Sequence, residues 1–219
     1  MPKPIVVLLS VFAAAWLAGS CSVLPPESDG ELSELLALFP GVYAGTAPVP
    51  GAPDGRTQEI FHKIAPIDAS QFGARSFYYQ LSVGGPDGQP LQQKIFAFKT
   101  NPTRPGNRMR AWIFSPGQEA PNLEQRPDSW FYLEAAKLMS FPDGCTFRWR
   151  RIAGGFEGVV KADDCTFQSE RFGQAVSPDM RYAVFADRLE WQETLYGPDR
   201  KVLVSTGANL IALRQSEKP

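Results

Sequence analysis

The stretch SFYYQLSVGGPDGQPLQQKIFAFKT, residues 76–100, decides the fold of this chain. Apolar and polar side chains alternate over residues 76–83 and again over residues 92–100, a period typical of β-strands with one buried face. The segment GGPDG, residues 84–88, stands between the two runs, and these residue types form tight turns. The stretch therefore predicts an antiparallel hairpin, because two strands joined by a short turn pair with each other.

Similar runs fill much of the chain outside this hairpin. We predict further strands at residues 41–45, 108–114, 145–152, 156–162, 165–169, 181–187, 188–196, 201–206 and 210–214. Two short helices are expected, one over residues 31–39 behind a capping box at residues 28–31, and one over residues 128–139. About ten strands with short connections predict a mainly β chain that closes into an antiparallel, calycin- or lipocalin-like barrel, because closure removes exposed strand edges. A β-sandwich is the alternative.

The composition agrees with one β-rich domain and argues against nucleic acid as a partner. The 219 residues include 19 Gly and 20 Pro, which are typical of turns. The chain carries 22 Lys and Arg against 23 Asp and Glu, with no long basic run that would bind a phosphate backbone. We assign residues 21–30 to a tether, residues 31–215 to the domain and residues 216–219 to a C-terminal tail.

The N-terminal residues resemble a bacterial lipoprotein signal. Lys3 precedes an apolar run over residues 5–18, and the segment LAGS, residues 17–20, stands before Cys21 like a lipobox. Cleavage would remove residues 1–20 and leave a lipid on Cys21. The apolar run is shorter than the roughly 20 residues that a membrane-spanning helix needs. An ordinary signal peptide with Cys21 as a free thiol is the alternative.

Ser22 bears on the destination of this expected lipoprotein. In enterobacterial lipoproteins, which the signal resembles, Asp after the lipidated cysteine favours the inner membrane, and Ser22 stands at that position here. We therefore expect an envelope protein that is anchored in the outer membrane through Cys21 and faces the periplasm.

Cys145 and Cys165 remain once Cys21 is assigned to the lipid. They belong to a chain with an export signal, and exported proteins fold where disulfides persist, so we expect a disulfide between them. A catalytic cysteine is the competing hypothesis. It needs a base to hold the thiolate, and nothing in the sequence places His62, the only histidine, near either thiol.

The second half of the chain resembles the CpcT/CpeT chromophore lyase family. The segment FPDGC at residues 141–145, then Trp149, then FEG at residues 156–158 and finally Cys165 are similar to that family's block of PGC, W, F-x-G and C. The likeness covers roughly residues 32–213. Its weaker parts are residues 35–43, 77–80, 90–95, 187–189 and 197–199.

This resemblance implies a calyx-like antiparallel barrel that holds a bilin, an open-chain tetrapyrrole, and attaches it to a cysteine of a phycobiliprotein. It implies a lyase with no cofactor of its own, a tetrapyrrole ligand and, since studied members are often dimeric, a homodimer.

Two departures from the family pattern support a second hypothesis. Gln80 stands where the family has an acidic residue, and Gln92 stands where it has an arginine. Both groups would pair well with pyrrole nitrogens and propionates. The export signal would also separate this chain from any phycobiliprotein. The alternative function is therefore a non-catalytic envelope lipoprotein that binds a small hydrophobic or amphiphilic ligand.

Strand alternation supplies the candidate ligand-binding residues. Side chains two apart share a face of a strand, and the sequence does not decide which face lines the lumen. Arg148 and Arg150 share one face, and Trp149 lies on the other. The candidates are Tyr78, Gln80, Arg110, Trp112, Arg148 and Trp149.

The remaining polar residues give weaker signals. His62 has no companion in the sequence, and we expect it to be structural or exposed. Glu190 and Glu193 have opposite parity, so one carboxylate should point to each side of the barrel wall. The sequence supports no metal site, and we assign no catalytic residue.

Overall fold

Ten antiparallel strands close into a barrel in the computed structural model. The structure describes residues 28–49, 56–100, 107–115, 117–118, 120–121 and 127–216, so the predicted signal peptide and Cys21 lie outside the described residues. One α-helix, α1, spans Ser28–Leu38. The strands are β1 Gly41–Pro48, β2 Thr57–Ile67, β3 Arg75–Val83, β4 Gln89–Thr100, β5 Asn107–Ile113, β6 Met139–Ser140, β7 Phe147–Ile152, β8 Gly155–Val160, β9 Phe167–Ser169, β10 Gln174–Phe185, β11 Arg188–Tyr196, β12 Val202–Ser205 and β13 Leu210–Arg214.

The barrel runs in the order β1-β2-β3-β4-β5-β7-β8-β10-β11-β13 and returns to β1. The three short strands β6, β9 and β12 pair with β5, β10 and β11 outside this circuit. The predicted hairpin of residues 76–100 is present as β3 and β4. The mainly β barrel is confirmed, and the sandwich alternative is wrong.

No helix in the described ranges has both the length and the apolar character needed to cross a membrane.

Strands β2 and β6 and the second helix differ from the sequence prediction. Strand β2 was not predicted; apolar residues fall on both of its faces, so its alternation is weak. The helix expected over residues 128–139 is wrong, because this segment forms two 3-10 turns, Pro127–Trp130 and Ala135–Lys137. The Gln71 side-chain amide donates 2.8 Å hydrogen bonds to the carbonyl oxygens of Trp130 and Leu133, which a helix would use internally.

Helix α1 closes one end of the barrel. Leu35 and Phe39 are buried, and the Phe39 ring meets the rings of Phe77 and Phe98 at 5.2 Å and that of Trp149 at 5.7 Å. These edge-on contacts are the arrangement that aromatic rings prefer. The end of the barrel that carries Phe77 and Phe98 is therefore plugged by apolar side chains.

The predicted disulfide is confirmed. Cys145 and Cys165 are bonded, with Sγ–Sγ 1.97 Å, and both residues are buried. The bond ties the turn before β7 to the segment after β8. Closing a loop of this length restricts the unfolded chain and stabilises the fold by about 3 kcal/mol.

Gly158 makes room for Trp149 inside the barrel. The two residues face each other across β7 and β8, and a Cβ on Gly158 would lie 2.7 Å from Trp149 Cδ2. No carbon atom can stay that close to an aromatic ring, so any larger residue at position 158 must displace the indole. The F-x-G and W parts of the sequence pattern thus describe one packing contact.

We expect Gly158→Ala to lower the free energy of unfolding by about 2 kcal/mol, because overpacking a dense core costs about 1 to 3 kcal/mol. Urea denaturation followed by tryptophan fluorescence measures the change. Gly30→Ala is the matched control: nothing lies within 4 Å of the new Cβ, and alanine favours a helix, so stability should hold or rise. Equal losses in the two variants would contradict the packing argument.

Candidate functional site

The interior of the barrel is filled by side chains over most of its depth. The inward-facing rings are each 6% exposed or less, so they contact one another rather than solvent. Several of them meet ring to ring, as Tyr79 and Phe96 do at 5.2 Å and Phe147 and Tyr182 at 5.4 Å. The rings are Tyr43, Phe77, Tyr79, Phe96, Phe98, Phe147, Trp149, Tyr182 and Trp191.

Polar groups interrupt this interior on the side away from α1. His62 Nδ1 and the Tyr79 hydroxyl are 2.9 Å apart, and Tyr79 and Tyr182 hydrogen bond to each other. Lys94 Nζ lies 5.6 Å from the centre of the Tyr79 ring, and Glu193 acts electrostatically on Lys94. We call His62, Tyr79, Lys94, Tyr182 and Glu193 the lumen polar cluster. Sequence reasoning missed it, because its members come from β2, β3, β4, β10 and β11.

Burial controls the charges in this cluster. Desolvation and, secondly, the nearby Lys94 charge together lower the pKa of His62 to about 3, so the imidazole is neutral at pH 7. Desolvation also lowers the pKa of Lys94, while the Glu193 carboxylate opposes that shift. Burial raises the pKa of Tyr79 well above its ordinary value. Among the described residues, His62 Nε2 has no hydrogen-bond partner.

We expect the chain to lose stability as the pH falls below about 6.5 because of His62. Its pKa in the folded state lies below that in the unfolded state, so the unfolded chain takes the proton first. The stabilisation is complete above pH 6.5 and falls by up to about 1.4 kcal/mol per pH unit towards pH 3. Urea denaturation between pH 7.5 and 5 measures this slope.

His62→Phe is the matched variant, because it keeps a ring against Trp191, whose ring lies 4.2 Å from His62. It should remove the slope between pH 6.5 and 5, where His62 is the only histidine of the chain. Parallel stability profiles for the two proteins would contradict a neutral, buried His62.

Tyr78 and Gln80 lie on the outer face of β3 and not in the lumen. The Tyr78 hydroxyl donates a 2.6 Å hydrogen bond to Gln80 Oε1, and Gln80 Nε2 donates to the Pro86 carbonyl oxygen at 3.0 Å. Gln93 Nε2 donates to the Tyr78 hydroxyl from β4. These bonds tie the hairpin turn to its strands.

Arg110 and Trp112 lie on the outer face of β5, within reach of the same region. Trp112 packs against Phe72 at 5.0 Å and is buried in the outer apolar cluster that also contains Tyr78. The Arg110 guanidinium lies over the Trp112 ring at 5.4 Å and donates a 3.0 Å hydrogen bond to the Phe141 carbonyl oxygen. Four of the six candidates therefore share one outer wall of the barrel.

Arg148 borders a concavity of about 620 Å³ on the outer wall formed by β7, β8, β10 and β11, where β7 pairs directly with β5. We call this concavity the outer groove. Trp149, which lies next to Arg148, contributes to the groove but sends its ring inward against Phe39. The lining residues are Arg148, Trp149, Arg150, Glu157, Val159, Lys161, Asp179, Arg181, Gln192, Thr194 and Tyr196.

Glu157 anchors the floor of the outer groove. Its two carboxylate oxygens accept hydrogen bonds from Arg150 at 2.6 Å and from Arg181 at 2.7 Å. Burial raises the pKa of Glu157, but the hydrogen bonds from the two arginines outweigh that effect and hold the pKa below its ordinary value. The carboxylate therefore stays charged and fixes both guanidinium groups.

The groove nevertheless carries more positive than negative charge. Four cationic side chains and two carboxylates line it. Arg148 is 52% exposed and pairs with Asp164 at 2.9 Å, and Lys161 pairs with Asp179 at 3.3 Å. Such exposed pairs are weak, so an anionic ligand can exchange with these carboxylates.

The two carboxylates of β11 lie on opposite sides of the barrel wall, as the alternation of side chains along the strand predicts. Glu190 lies on the outer face, where it accepts a 2.8 Å hydrogen bond from Arg188, and Glu193 faces the lumen polar cluster. Within the described ranges, no cluster of His, Cys, Asp and Glu side chains could hold a metal ion.

Neither a protein-family model nor a curated protein sequence matches this chain. Solved structures do. The CRL protein of Arabidopsis matches with a TM-score of 0.54 at 11% identity, over 84% of this chain and 95% of that one. The T-type phycobiliprotein lyase CpeT from Prochlorococcus phage P-HM1 matches with a TM-score of 0.47 at 11% identity, over 84% and 98%. Rv2717c from M. tuberculosis matches with a TM-score of 0.45 at 15% identity, over 83% and 95%.

Matches at identities this low show only that the folds are alike. The match to the CRL protein, with its TM-score of 0.54, supports that conclusion for this chain. This chain has the closed antiparallel barrel that its resemblance to the CpcT/CpeT family predicts.

Proposed function

We propose that this chain is a CpcT/CpeT-like envelope protein that binds an anionic, tetrapyrrole-like amphiphile in the outer groove. The observation that carries the proposal is the groove itself, a cavity of about 620 Å³ lined by four cations. Small-molecule sites commonly measure about 300 to 1,000 Å³. The groove is therefore of the size that a ligand with two carboxylates and a flat ring system requires.

The chemistry of the lining supports an anion with an unsaturated body. Arginine presents a planar fork that binds a carboxylate through two hydrogen bonds and stacks on flat rings. Glu157 holds Arg150 and Arg181 in place, so a ligand meets two fixed guanidinium groups. Val159 and Tyr196 add apolar surface beside them.

The packed lumen also favours the outer groove as the binding site. The inward rings leave solvent little access, so a ligand as large as a bilin would have to displace core side chains. Binding on the outer wall needs only the exchange of exposed ion pairs.

Binding without a covalent step is the function that these residues support best. Attachment of the ligand to an acceptor cysteine is the second candidate, favoured by the sequence resemblance. A bilin that stays with an acceptor protein after denaturation in acid would establish attachment. The homodimer that the resemblance implies belongs to the same proposal, and light scattering measures it directly.

We expect the variant Arg148→Gln/Lys161→Gln to weaken biliverdin binding about tenfold, because it removes two exposed cations from the groove and leaves Glu157 paired. Binding should also weaken as salt is added, since these contacts are exposed. Absorbance titration of the purified domain gives the affinities.

Arg75→Gln is the matched control. Arg75 is an exposed arginine at the start of β3, outside the groove, and its loss should leave the affinity unchanged. The proposed function would be contradicted if neither the Arg148→Gln/Lys161→Gln variant nor added salt changed the affinity, or if biliverdin did not bind at all.

The envelope part of the proposal rests on the lipobox resemblance. Ser28, where α1 begins, lies seven positions after Cys21, and an extended chain of that length spans at most about 25 Å. A lipid on Cys21 would therefore keep the barrel close to the membrane surface, which we propose is the periplasmic face of the outer membrane.

We expect the full chain, expressed in a Gram-negative host, to incorporate labelled palmitate and to fractionate with the outer membrane. Cys21→Ser should abolish incorporation and leave the uncleaved precursor, because the thiol is the acylated atom. Equal palmitate labelling of the two proteins, or an unlabelled parent chain, would overturn the lipid anchor. A Ser22→Asp variant should shift the protein towards the inner membrane and thereby tests the destination.

A further inference from the structure

We propose that Lys94 is an imine-forming amine, which condenses with an apolar aldehyde entering the barrel at the end opposite α1. This site lies inside the barrel, so it is separate from the outer groove and does not rest on the function proposed for it.

Lys94 is buried in the barrel interior, where a lysine side chain is unusual. It lies on the inner face of β4, opposite Tyr79 of β3 and Ile113 of β5, and is 3% exposed. Lysine is rarely buried to this extent unless it is paired or functional. In the described lumen it is a primary amine at the edge of an otherwise aromatic core.

The side chains between Lys94 and the end of the barrel opposite α1 are apolar. Phe39 and Phe77 mark the end of the barrel that α1 plugs, and Lys94 lies towards the other end. Leu81, Val83 and Ile113 on that side are partly buried and pack on the core. A small apolar aldehyde would contact these side chains on its way to Nζ.

Burial shifts the amine towards its neutral, nucleophilic form. Burial lowers the pKa of Lys94, and the charge of Glu193 on β11 opposes this. The other titratable groups of the cluster are His62 on β2, Tyr79 on β3 and Tyr182 on β10, all uncharged at pH 7. Glu193 is therefore the one formal counter-charge in the lumen polar cluster.

The reaction balances without an oxidant or another reactant. The Nζ lone pair attacks the carbonyl carbon, a C–N bond forms, and the carbonyl π electrons move to oxygen. The two amine protons end on that oxygen, which leaves as water when the C=N bond forms. Glu193 is the carboxylate available to carry protons between the two atoms.

The test uses hexanal and cyanoborohydride at pH 7, which convert each imine to a stable hexyl amine that peptide mapping locates. Lys137, whose side chain is 63% exposed, is the internal reference. An exposed lysine has a pKa of about 10.4, so less than about 0.1% of it is the free amine at pH 7. We expect Lys94 to be labelled at least about tenfold faster. Labelling no faster than that of Lys137 would overturn the proposal.

Variants show whether the fast labelling comes from the Lys94 amine itself. Lys94→Met keeps a side chain of similar length in the core and should lose the fast phase, whereas Lys137→Met should keep it. Glu193→Gln should shift the pH–rate profile of Lys94 to lower pH, because the carboxylate that favours the charged amine is gone. An unshifted profile, or a fast phase that survives Lys94→Met, would contradict the assignment. Lys94→Met should bind biliverdin as the parent does, which keeps this test distinct from that of the outer groove.

Discussion

The contact between Trp149 and Gly158 is the constraint on which the rest of the barrel depends. The indole occupies the space that any larger residue at position 158 would claim, and it meets the ring of Phe39, which directly follows the plugging helix α1, at 5.7 Å. Because Phe39 also meets Phe77 and Phe98, one tryptophan connects β3, β4, β7, β8 and α1 in a single aromatic core. A barrel closed in this way fills its own lumen. The concave surface among the described residues lies instead on the outer wall.

The same contact determines which side chains of β7 and β8 point outward into the outer groove. With Trp149 directed inward, its neighbours Arg148 and Arg150 must point outward, since successive side chains of a strand alternate. Likewise Gly158 faces the indole, so Glu157 turns to the outside, where it meets Arg150 at 2.6 Å and Arg181 at 2.7 Å. The arrangement of charge on the outer wall thus follows from the packing of the inner one. A one-residue shift between β7 and β8 would bury two arginines and expose the tryptophan.

Features set by neighbouring residues could be predicted from the sequence, and features set by distant strands could not. The hairpin of residues 76–100 follows from alternation around a glycine-rich turn, and the pairing of Cys145 with Cys165 follows from their export signal and number. His62 has no companion along the chain because its partners, Tyr79 and Trp191, come from β3 and β11. Segment 128–139 has helical spacing, yet its carbonyl groups bond to Gln71, which only the folded barrel brings near. The outer groove needs four strands in register, and no local pattern encodes that.

The hydrogen bonds of Gln80 need an amide at this position. Gln80 lies beneath the hairpin turn, and its amide is used by Tyr78 and the Pro86 carbonyl group. A carboxylate there could accept from the Tyr78 hydroxyl but could not donate to Pro86, and its charge would be largely buried without a cationic partner among these groups. Glutamine satisfies both neighbours without a charge, so the wall of β3 and β4 is a neutral, hydrogen-bonded surface. In this chain the charges able to recognise an anion lie instead in the outer groove, on Arg148, Arg150, Lys161 and Arg181. Ligand recognition depends on such charged side chains and not on the barrel fold that carries them.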